Sequence, residues 1–364
     1  MYPRIPSRPT HFIILTVAGN LPRSYNNPVR YPWVNLVLLL LLLLQALTGY
    51  LGFVNGTAGR AWLLWLHGAG AYAILWLLLW KGAIIWGALS RGRRWTLARI
   101  SFLFLLLLLL LTLLFGISWT FTGLQYLLGF STLSWHIYLA VPLLLLLAFH
   151  VWRMRWILRV EETTGRRTFL HSGAVALLGA GLWWLIGRVD RVRRFTGSYE
   201  VGSFGGWFPR VSWIDDDPAP VDPNEWQLRL EGLVETPLTL TYEQLQALAA
   251  EARIAALDCT GGWYTEQEWM GIPLALLLER AGIHEEARTL TFTSVTGYWR
   301  RFSLAEAAGY LLATHVAGEP LSHGHGFPLR LVAPGKRGFE WVKWITHIRA
   351  GPEPQWWQPP LPLQ

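Results

Sequence analysis

The chain has 364 residues, of which 52% are hydrophobic and 15% charged, well below the about 25% charge of an ordinary soluble domain. Residues 1–187 hold 15 Lys+Arg and two acids, Glu161 and Glu162, whereas residues 188–364 hold the other 16 Lys+Arg and 21 acids. A basic half made largely of Leu and Trp excludes a nucleic-acid-binding face, and a single cysteine excludes a disulfide framework or a cysteine-clustered zinc or iron–sulfur site.

Apolar runs lie at about 33–54, 61–80, 100–128, 133–152 and 171–187. Crossing the hydrocarbon takes about 20 apolar residues as a helix, so the first four are spans, and the shorter, glycine-bearing fifth is expected to be one. Ile100 to Trp152 carries no Asp, Glu, Lys or Arg, and Gly129 to Ser134 is the expected turn within it. Arginines fall on one side: Arg4, Arg8, Arg23 and Arg30 in the tail, then Arg91, Arg93, Arg94 and Arg99, then Arg153, Arg155, Arg159, Arg166 and Arg167, against Arg60 on the other. The positive-inside rule predicts a multi-pass membrane protein with its N-terminus cytoplasmic and its C-terminal half extracytoplasmic; the cell membrane of a prokaryote is the expected location. The expected units are a tail (1–32), a four-helix membrane domain (33–158), a signal-like segment with the fifth helix (159–188) and an outer domain (189–364). Arg166-Arg167-Thr168-Phe169-Leu170 resembles a twin-arginine export signal in an internal position. Such export carries folded domains, typically loaded with cofactor.

Ionisable side chains within spans point to function. His67 lies in span two, and His136 and His150 in span four. The last two are 14 residues apart, which returns to nearly the same helix face about 21 Å deeper. Spans two and four run in the same direction, so His67 and His136 share a depth near the outer face and form a candidate haem iron pair. Lys81, 14 residues after His67, stands at the depth of His150 where a fourth histidine would complete a second pair. The bundle resembles the multi-haem b-type membrane cytochromes, in which imidazoles from two helices clamp each iron. That resemblance implies haem b: one expected, and a second only if Lys81 and His150 bind iron.

From Gly197 the composition becomes that of a water-soluble domain. Trp226 to Val234 alternates like a strand, Thr241 caps a helix, Leu274 to Ala281 is a helix ended by Gly282, and Leu290–Val295 and Leu329–Val332 are strands. Without regular βαβ alternation the fold class is α+β. Dinucleotide, phosphate-loop, zinc-protease and nucleophile-elbow motifs are missing. Cys259, in Leu257-Asp-Cys-Thr-Gly-Gly-Trp263, follows a strand, and the glycines allow a turn that holds the thiol at a cleft; a buried small hydrophobe is the alternative. Downstream, His325, Arg330, Lys336, Arg337 and Lys343 concentrate cationic groups suited to an anionic, phosphate-bearing ligand.

Cys-Thr-Gly-Gly-Trp, Trp269-x-Gly271-x-Pro-Leu, the Gly297-Tyr298 pair and the run from Gly318 to Pro334 together resemble the molybdenum-cofactor domain of the sulfite oxidase family, over residues 200 to 350. The resemblance implies that Cys259 ligates molybdenum beside a molybdopterin dithiolene. It implies that His325, Arg330, Lys336, Arg337 and Lys343 hold the pterin and its phosphate, and that Tyr298 lies near the substrate. Thr-Gly-Gly-Trp in place of Ala-Gly-Asn-Arg, and the short C-terminus, shift the likeness toward the bacterial single-domain branch that includes protein-methionine-sulfoxide reductases. The expectation is a membrane-anchored molybdopterin oxidoreductase performing oxygen-atom transfer on a small oxo-substrate or sulfoxide. It would exchange electrons through haem b with quinone or another membrane partner, in contact with membrane lipid. A sulfite-type dehydrogenase is the alternative in direction, and a non-catalytic electron-transfer subunit the alternative in class.

Overall fold

The structure, a computed structural model, describes residues 32–89, 97–154, 165–189, 193–212, 216–248 and 251–361. Most of the arginines that set the orientation (Arg4, Arg8, Arg23, Arg30, Arg91, Arg93, Arg94, Arg155 and Arg159) lie outside the described residues.

Five long helices form the first half: α1 (Pro32–Val54), α2 (Ala61–Leu89), α3 (Leu97–Thr122), α4 (Thr132–Met154) and α5 (Arg166–Val189). All five are long and apolar enough to cross a membrane, and a helix is the one open-ended element that satisfies its backbone internally. Leu40, Leu79, Trp86, Leu114 and Leu145 stand exposed on the bundle's outside. α2 is the central helix, with 44% of its apolar window buried against 17–22% for the others. It packs on α1 and α5, while α3 packs on α4. Gly179 makes the α2–α5 crossing close: a methyl group there would overlap the Ala69 carbonyl and sit 2.7 Å from the Ala73 nitrogen. That close crossing is a reason for glycine in a helix whose hydropathy it lowers.

Two boundaries differ from expectation. The third apolar run leaves the helix after Thr122, because Gly123, Leu128 and Gly129 take positive φ values of 67°, 52° and 83°. Its last residues instead make a small hairpin, β1 (Tyr126–Leu127) with β2 (Phe130–Ser131). The fifth helix starts at Arg166, so the arginine pair forms its first turn and does not precede it.

The second half contains β3 (Tyr199–Glu200), β4 (Gln227–Gly232), β5 (Leu238–Thr241), α6 (Tyr242–Ala247), β6 (Glu251–Asp258), β7 (Trp263–Pro273), α7 (Leu274–Ala281), β8 (Thr289–Ser294), β9 (Trp299–Ser303), α8 (Leu304–Ala307), β10 (Leu311–Val316), β11 (Glu319–Pro320), β12 (Arg330–Val332) and β13 (Ile345–Gly351). One sheet runs β11-β10-β7-β3, with β12 on β10 and β6 on β7; the other runs β5-β4-β13-β8-β9. Most pairs are antiparallel, with β3–β7 and β4–β13 parallel. α7 buries Leu274, Leu277, Leu278 and Ala281, one helical stripe, and stops at Gly282 with φ 64°. Thr241 and Gln244 form a capping box at α6. Trp269, Trp341, Trp344, Phe292 and Phe302 anchor the core.

Pairing of β6 with β7 ends at Asp258 opposite Tyr264. Cys259 to Gly262 therefore make the hairpin turn, closed by Cys259 N to Trp263 O at 2.8 Å and Gly262 N to Cys259 O at 3.1 Å. Gly262 sits at φ 92°, a conformation open to glycine at little cost.

Candidate active site

Cys259 lines a cleft bounded on one side by the β6–β7 turn and on the other by the segments around His325 and Gly338. The Gly261 N–H points at the sulfur from 3.3 Å. Beneath the turn, Arg337 donates to the Asp258 carboxylate at 2.5 Å and to the Cys259 carbonyl at 3.2 Å. Thr196 and Ser198 donate to the same carboxylate, each at 2.7 Å. Gly338 passes so close that a methyl group on it would lie 3.1 Å from the Cys259 Cα. Burial pushes the thiol pKa up, while the Gly261 amide, Arg337 and Arg330 pull it down; a bound metal cation would take the thiolate outright.

The cleft gathers five of the seven residues expected here: Cys259, Tyr298, His325, Arg330 and Lys343. Arg330 is buried, donates to the His325 carbonyl at 3.0 Å and lies over the rings of Trp269 and Trp341. Among the described residues no carboxylate pairs with it, and its Nε has no partner. Burial lowers its pKa to about 10. Lys343 donates to Ser212 Oγ at 2.9 Å and to two backbone carbonyls; burial first, then Arg330, bring its pKa down to about 7. His325 stacks on Phe208 at 4.0 Å, hydrogen-bonds the Phe208 carbonyl through Nε2 and meets Ser322 Oγ through Nδ1. Burial, followed by Arg330, lowers its pKa to about 4, so it is a neutral imidazole at pH 7. Tyr298 donates to the Phe339 carbonyl at 2.6 Å, and burial raises its pKa.

The remaining two sit behind the cleft. Lys336 pairs with Glu306 at 2.7 Å, turned away at Gly335 with φ 82°, and Arg337 is committed to Asp258. Residues that sequence reasoning missed complete the wall: Arg210, which pairs with Asp217, Ser212 and Asp216, which accepts from Thr296 at 2.6 Å. They lie in an irregular segment without periodicity; its run of acids is the one signal that could have drawn attention to it.

The residues present suit a molybdopterin. Among the described residues, Arg330 Nε, Trp263 Nε1 and Trp341 Nε1 are buried donors without acceptors around one thiol, and buried donors of this kind are costly unless a ligand supplies acceptors. Among the described residues no group of three or more His, Cys, Asp or Glu side chains could hold a metal ion. Cys259 would hold the metal, and Arg330 and Lys343 the anionic part.

In the bundle, His67 and His136 face each other with ring centroids 6.0 Å apart and planes at 87°. Both make their hydrogen bonds at Nδ1: His136 to the Thr112 carbonyl at 2.8 Å and His67 to Thr48 Oγ1 at 3.1 Å. Thr48 Oγ1 itself donates to the Leu44 carbonyl, so it accepts from His67. Such outward bonds fix the tautomer and leave each Nε2 for a metal. Gly49 and Gly116 flank the rings; a methyl group would lie 3.1 Å from His67 and 2.8 Å from His136. At the opposite end of the bundle Lys81 donates to Asn35 Oδ1 at 2.6 Å, and Lys81 and His150 lie on Phe102 at 5.9 and 6.1 Å.

Residues 216–357 match the family model described as "Oxidoreductase molybdopterin binding domain". The uncharacterized oxidoreductase YuiH of Bacillus subtilis (strain 168) is 32% identical over 156 residues, 42% of this chain and 78% of that protein. The protein-methionine-sulfoxide reductase catalytic subunit MsrP of Gluconobacter oxydans (strain 621H) is 36% identical over 147 residues, 35% of this chain and 47% of the relative. The chain thus spans about half the length of that relative. Among solved structures, the sulfane dehydrogenase SoxCD from Paracoccus pantotrophus aligns with a TM-score of 0.36 and 28% identity, covering 37% of this chain and 40% of that one.

Proposed function

Since the chain belongs to the family of oxidoreductases with a molybdopterin-binding domain, we propose that it is a membrane-anchored enzyme that transfers an oxygen atom at molybdenum held by Cys259. Electrons are exchanged with quinone through a haem b between His67 and His136. The observation that carries this reading is the juxtaposition in one chain of a cationic cleft around a lone thiol and a facing histidine pair in an apolar bundle.

Bound molybdopterin would supply the two-electron redox chemistry of oxygen-atom transfer. The chain's residues do the rest. Arg330 and Lys343 would neutralise the anionic cofactor and the buried indoles of Trp263 and Trp341 would donate to it, while Arg337 fixes the Cys259 turn through Asp258. Neutral His325 holds the Phe208 wall against the cleft, and protonated Tyr298 ties that side to the Phe339 segment. The MsrP relatives favour a sulfoxide as substrate. The balanced reaction is then sulfoxide plus quinol giving sulfide, quinone and water, with two electrons and two protons passing from quinol to the departing oxygen.

Exposed Leu and Trp side chains around all five helices support embedding in lipid. We place the cofactor domain outside the cytoplasm, exported through the Arg166-Arg167 signal. Lys81, held by Asn35, is assigned no iron, which makes one haem the expected complement.

Elemental analysis and pyridine haemochrome on one detergent-purified sample test the reading. Molybdenum and haem near one each per chain, with haem oxidised on adding a small alkyl sulfoxide, are the expected results. Molybdenum without haem would overturn the electron route, and haem without molybdenum in cells that make the cofactor would overturn the enzyme.

A further inference from the structure

The bundle and the cofactor domain meet at a particular place. Ser131, at the end of the α3–α4 hairpin, donates to the Gly261 carbonyl at 3.1 Å. That residue's amide is the one that points at the Cys259 sulfur. Gly262 packs so tightly on the end of α3 and the start of α4 that a methyl group would overlap the Trp119 ring and lie 2.8 Å from Leu133. Trp119 is itself buried, with its indole 3.3 Å from the Gly197 carbonyl. Tyr199 crosses its ring at 5.1 Å and donates to the Trp119 and Thr120 carbonyls, both at 3.1 Å. From α1, Phe53 stacks on Phe339, a cleft residue, at 6.0 Å and 13°. Gly56 leaves room for the Gly335–Arg337 backbone: a methyl there would lie 2.7 Å from the Gly335 carbonyl.

These contacts fall on the two loops that bound the cleft, 259–262 and 335–339, and on the linker that holds Asp258. The same bundle elements carry the histidine site: Gly116 of α3 touches His136, three residues before Trp119, and His136 is four residues into α4 from Thr132, about 6 Å along its axis. Ser131 also accepts from the Ser134 amide at 3.1 Å, so the residue that grips the thiol loop caps the helix of His136.

We infer that the outer ends of α1, α3 and α4 form a docking surface for the Cys259 loop, on which Trp119 and Ser131 are positioning residues that set electron transfer between the histidine-bound haem and the metal centre inside one chain. This rests on the function proposed above. A continuous route joins the two centres: Cys259 Sγ, the Gly261 amide and carbonyl, Ser131 Oγ, then one turn of α4 to His136. The electrons delivered to a sulfoxide by this route come from quinol, one at a time, as in the balanced reaction above.

The test uses the full-length, detergent-purified holoenzyme and its Trp119→Ala, Ser131→Ala and Trp119→Phe variants. The haem is reduced chemically and mixed rapidly with a small alkyl sulfoxide, and its reoxidation is followed by absorbance. Turnover driven by reduced methyl viologen, which feeds the metal centre from solution, is measured beside it. Misplacing reacting groups by about 1 Å carries large rate penalties. The alanine variants should therefore reoxidise haem about tenfold more slowly or worse, a larger loss than that of viologen turnover, with haem spectrum and molybdenum content unchanged, and Trp119→Phe should keep most of the rate. Hydrogen exchange on the same proteins gives an independent reading: residues 259–263 should exchange faster in Trp119→Ala while 266–272 stay protected. Unchanged haem reoxidation in both alanine variants overturns the inference, as does unchanged exchange of the loop. A wild type without haem instead overturns the function proposed above, and the exchange comparison then still decides whether the surface docks the loop.

Discussion

Arg337 binds the carboxylate of Asp258 at 2.5 Å and the carbonyl of Cys259 at 3.2 Å, so one buried guanidinium fixes both the acid and the thiol-bearing residue beside it. Asp258 is 2% exposed and Arg337 3%, which makes this a pair whose halves depend on each other: removing one partner of a buried pair costs about 3–5 kcal/mol, because the other charge is left behind.

Arg337→Met should therefore destabilise the cofactor domain by about 3 kcal/mol, toward the low end because Thr196, Ser198 and Arg194 still face the carboxylate. Denaturant unfolding followed by tryptophan fluorescence measures it. The double variant Arg337→Met with Asp258→Asn should recover much of the loss, since no buried carboxylate is then left without its partner while the amide still faces Thr196 and Ser198. If the single variant is as stable as wild type, Arg337 is not the brace described.

Cys259→Ser should remove turnover with both sulfoxide and viologen while leaving the haem absorption spectrum intact. The hydroxyl is a poorer donor to a redox metal than a soft thiolate, whereas the fold loses little, because the Cys259 amide and carbonyl make the turn's backbone bonds. Assay and spectrum on one preparation decide it. Surviving activity would mean that the metal is not held by this sulfur.

His67→Leu and His136→Leu should each abolish haem binding without loss of molybdenum, because the two centres share no ligand. His150→Leu and Lys81→Met should leave the haem content near that of wild type. Pyridine haemochrome on the four variants separates these outcomes. Loss of haem in the Lys81 variant would restore the second, inner site that a 14-residue spacing from His67 allows.

Much of this was legible in the sequence, for identifiable reasons. A run of about 20 apolar residues has few fates other than a membrane-length helix, and Leu274–Ala281 declares itself by a one-sided leucine stripe ending in Gly282. The third helix was overextended because Leu124, Leu127 and Leu128 continue its apolar run, while the backbone breaks at Gly123; hydropathy does not register φ. In the site, Cys259, Tyr298, His325, Arg330 and Lys343 converge as their motifs imply. Lys336 was grouped with them by proximity in sequence, yet the turn at Gly335 directs it to Glu306. The wall made by Phe208, Arg210, Ser212 and Asp216 and the seat of Gly262 on Trp119 were hidden, because both exist only through contacts between distant segments.

The last prediction concerns pH. Lys343 has its pKa lowered to about 7, by burial first and by the positive charge of Arg330 second, with Asp216 and Cys259 pulling the other way and Arg210 adding to the repulsion. An unfolded lysine titrates at about 10.4. Between these values the unfolded chain binds a proton that the folded, cofactor-free chain lacks, so stability contributed by this group rises with pH from about 7 to about 10 and is flat below about 7. Protein purified from cells unable to make the cofactor should show that rise in denaturant unfolding, and Lys343→Met should abolish it. An anion in the cleft reverses the preference by holding the proton on Lys343. Affinity of the cofactor-free protein for inorganic phosphate should accordingly fall as pH passes upward through about 7, and Lys343→Met should remove that step. A stability curve with the opposite slope, or phosphate binding indifferent to pH over this range, would show that Lys343 keeps its charge without a ligand.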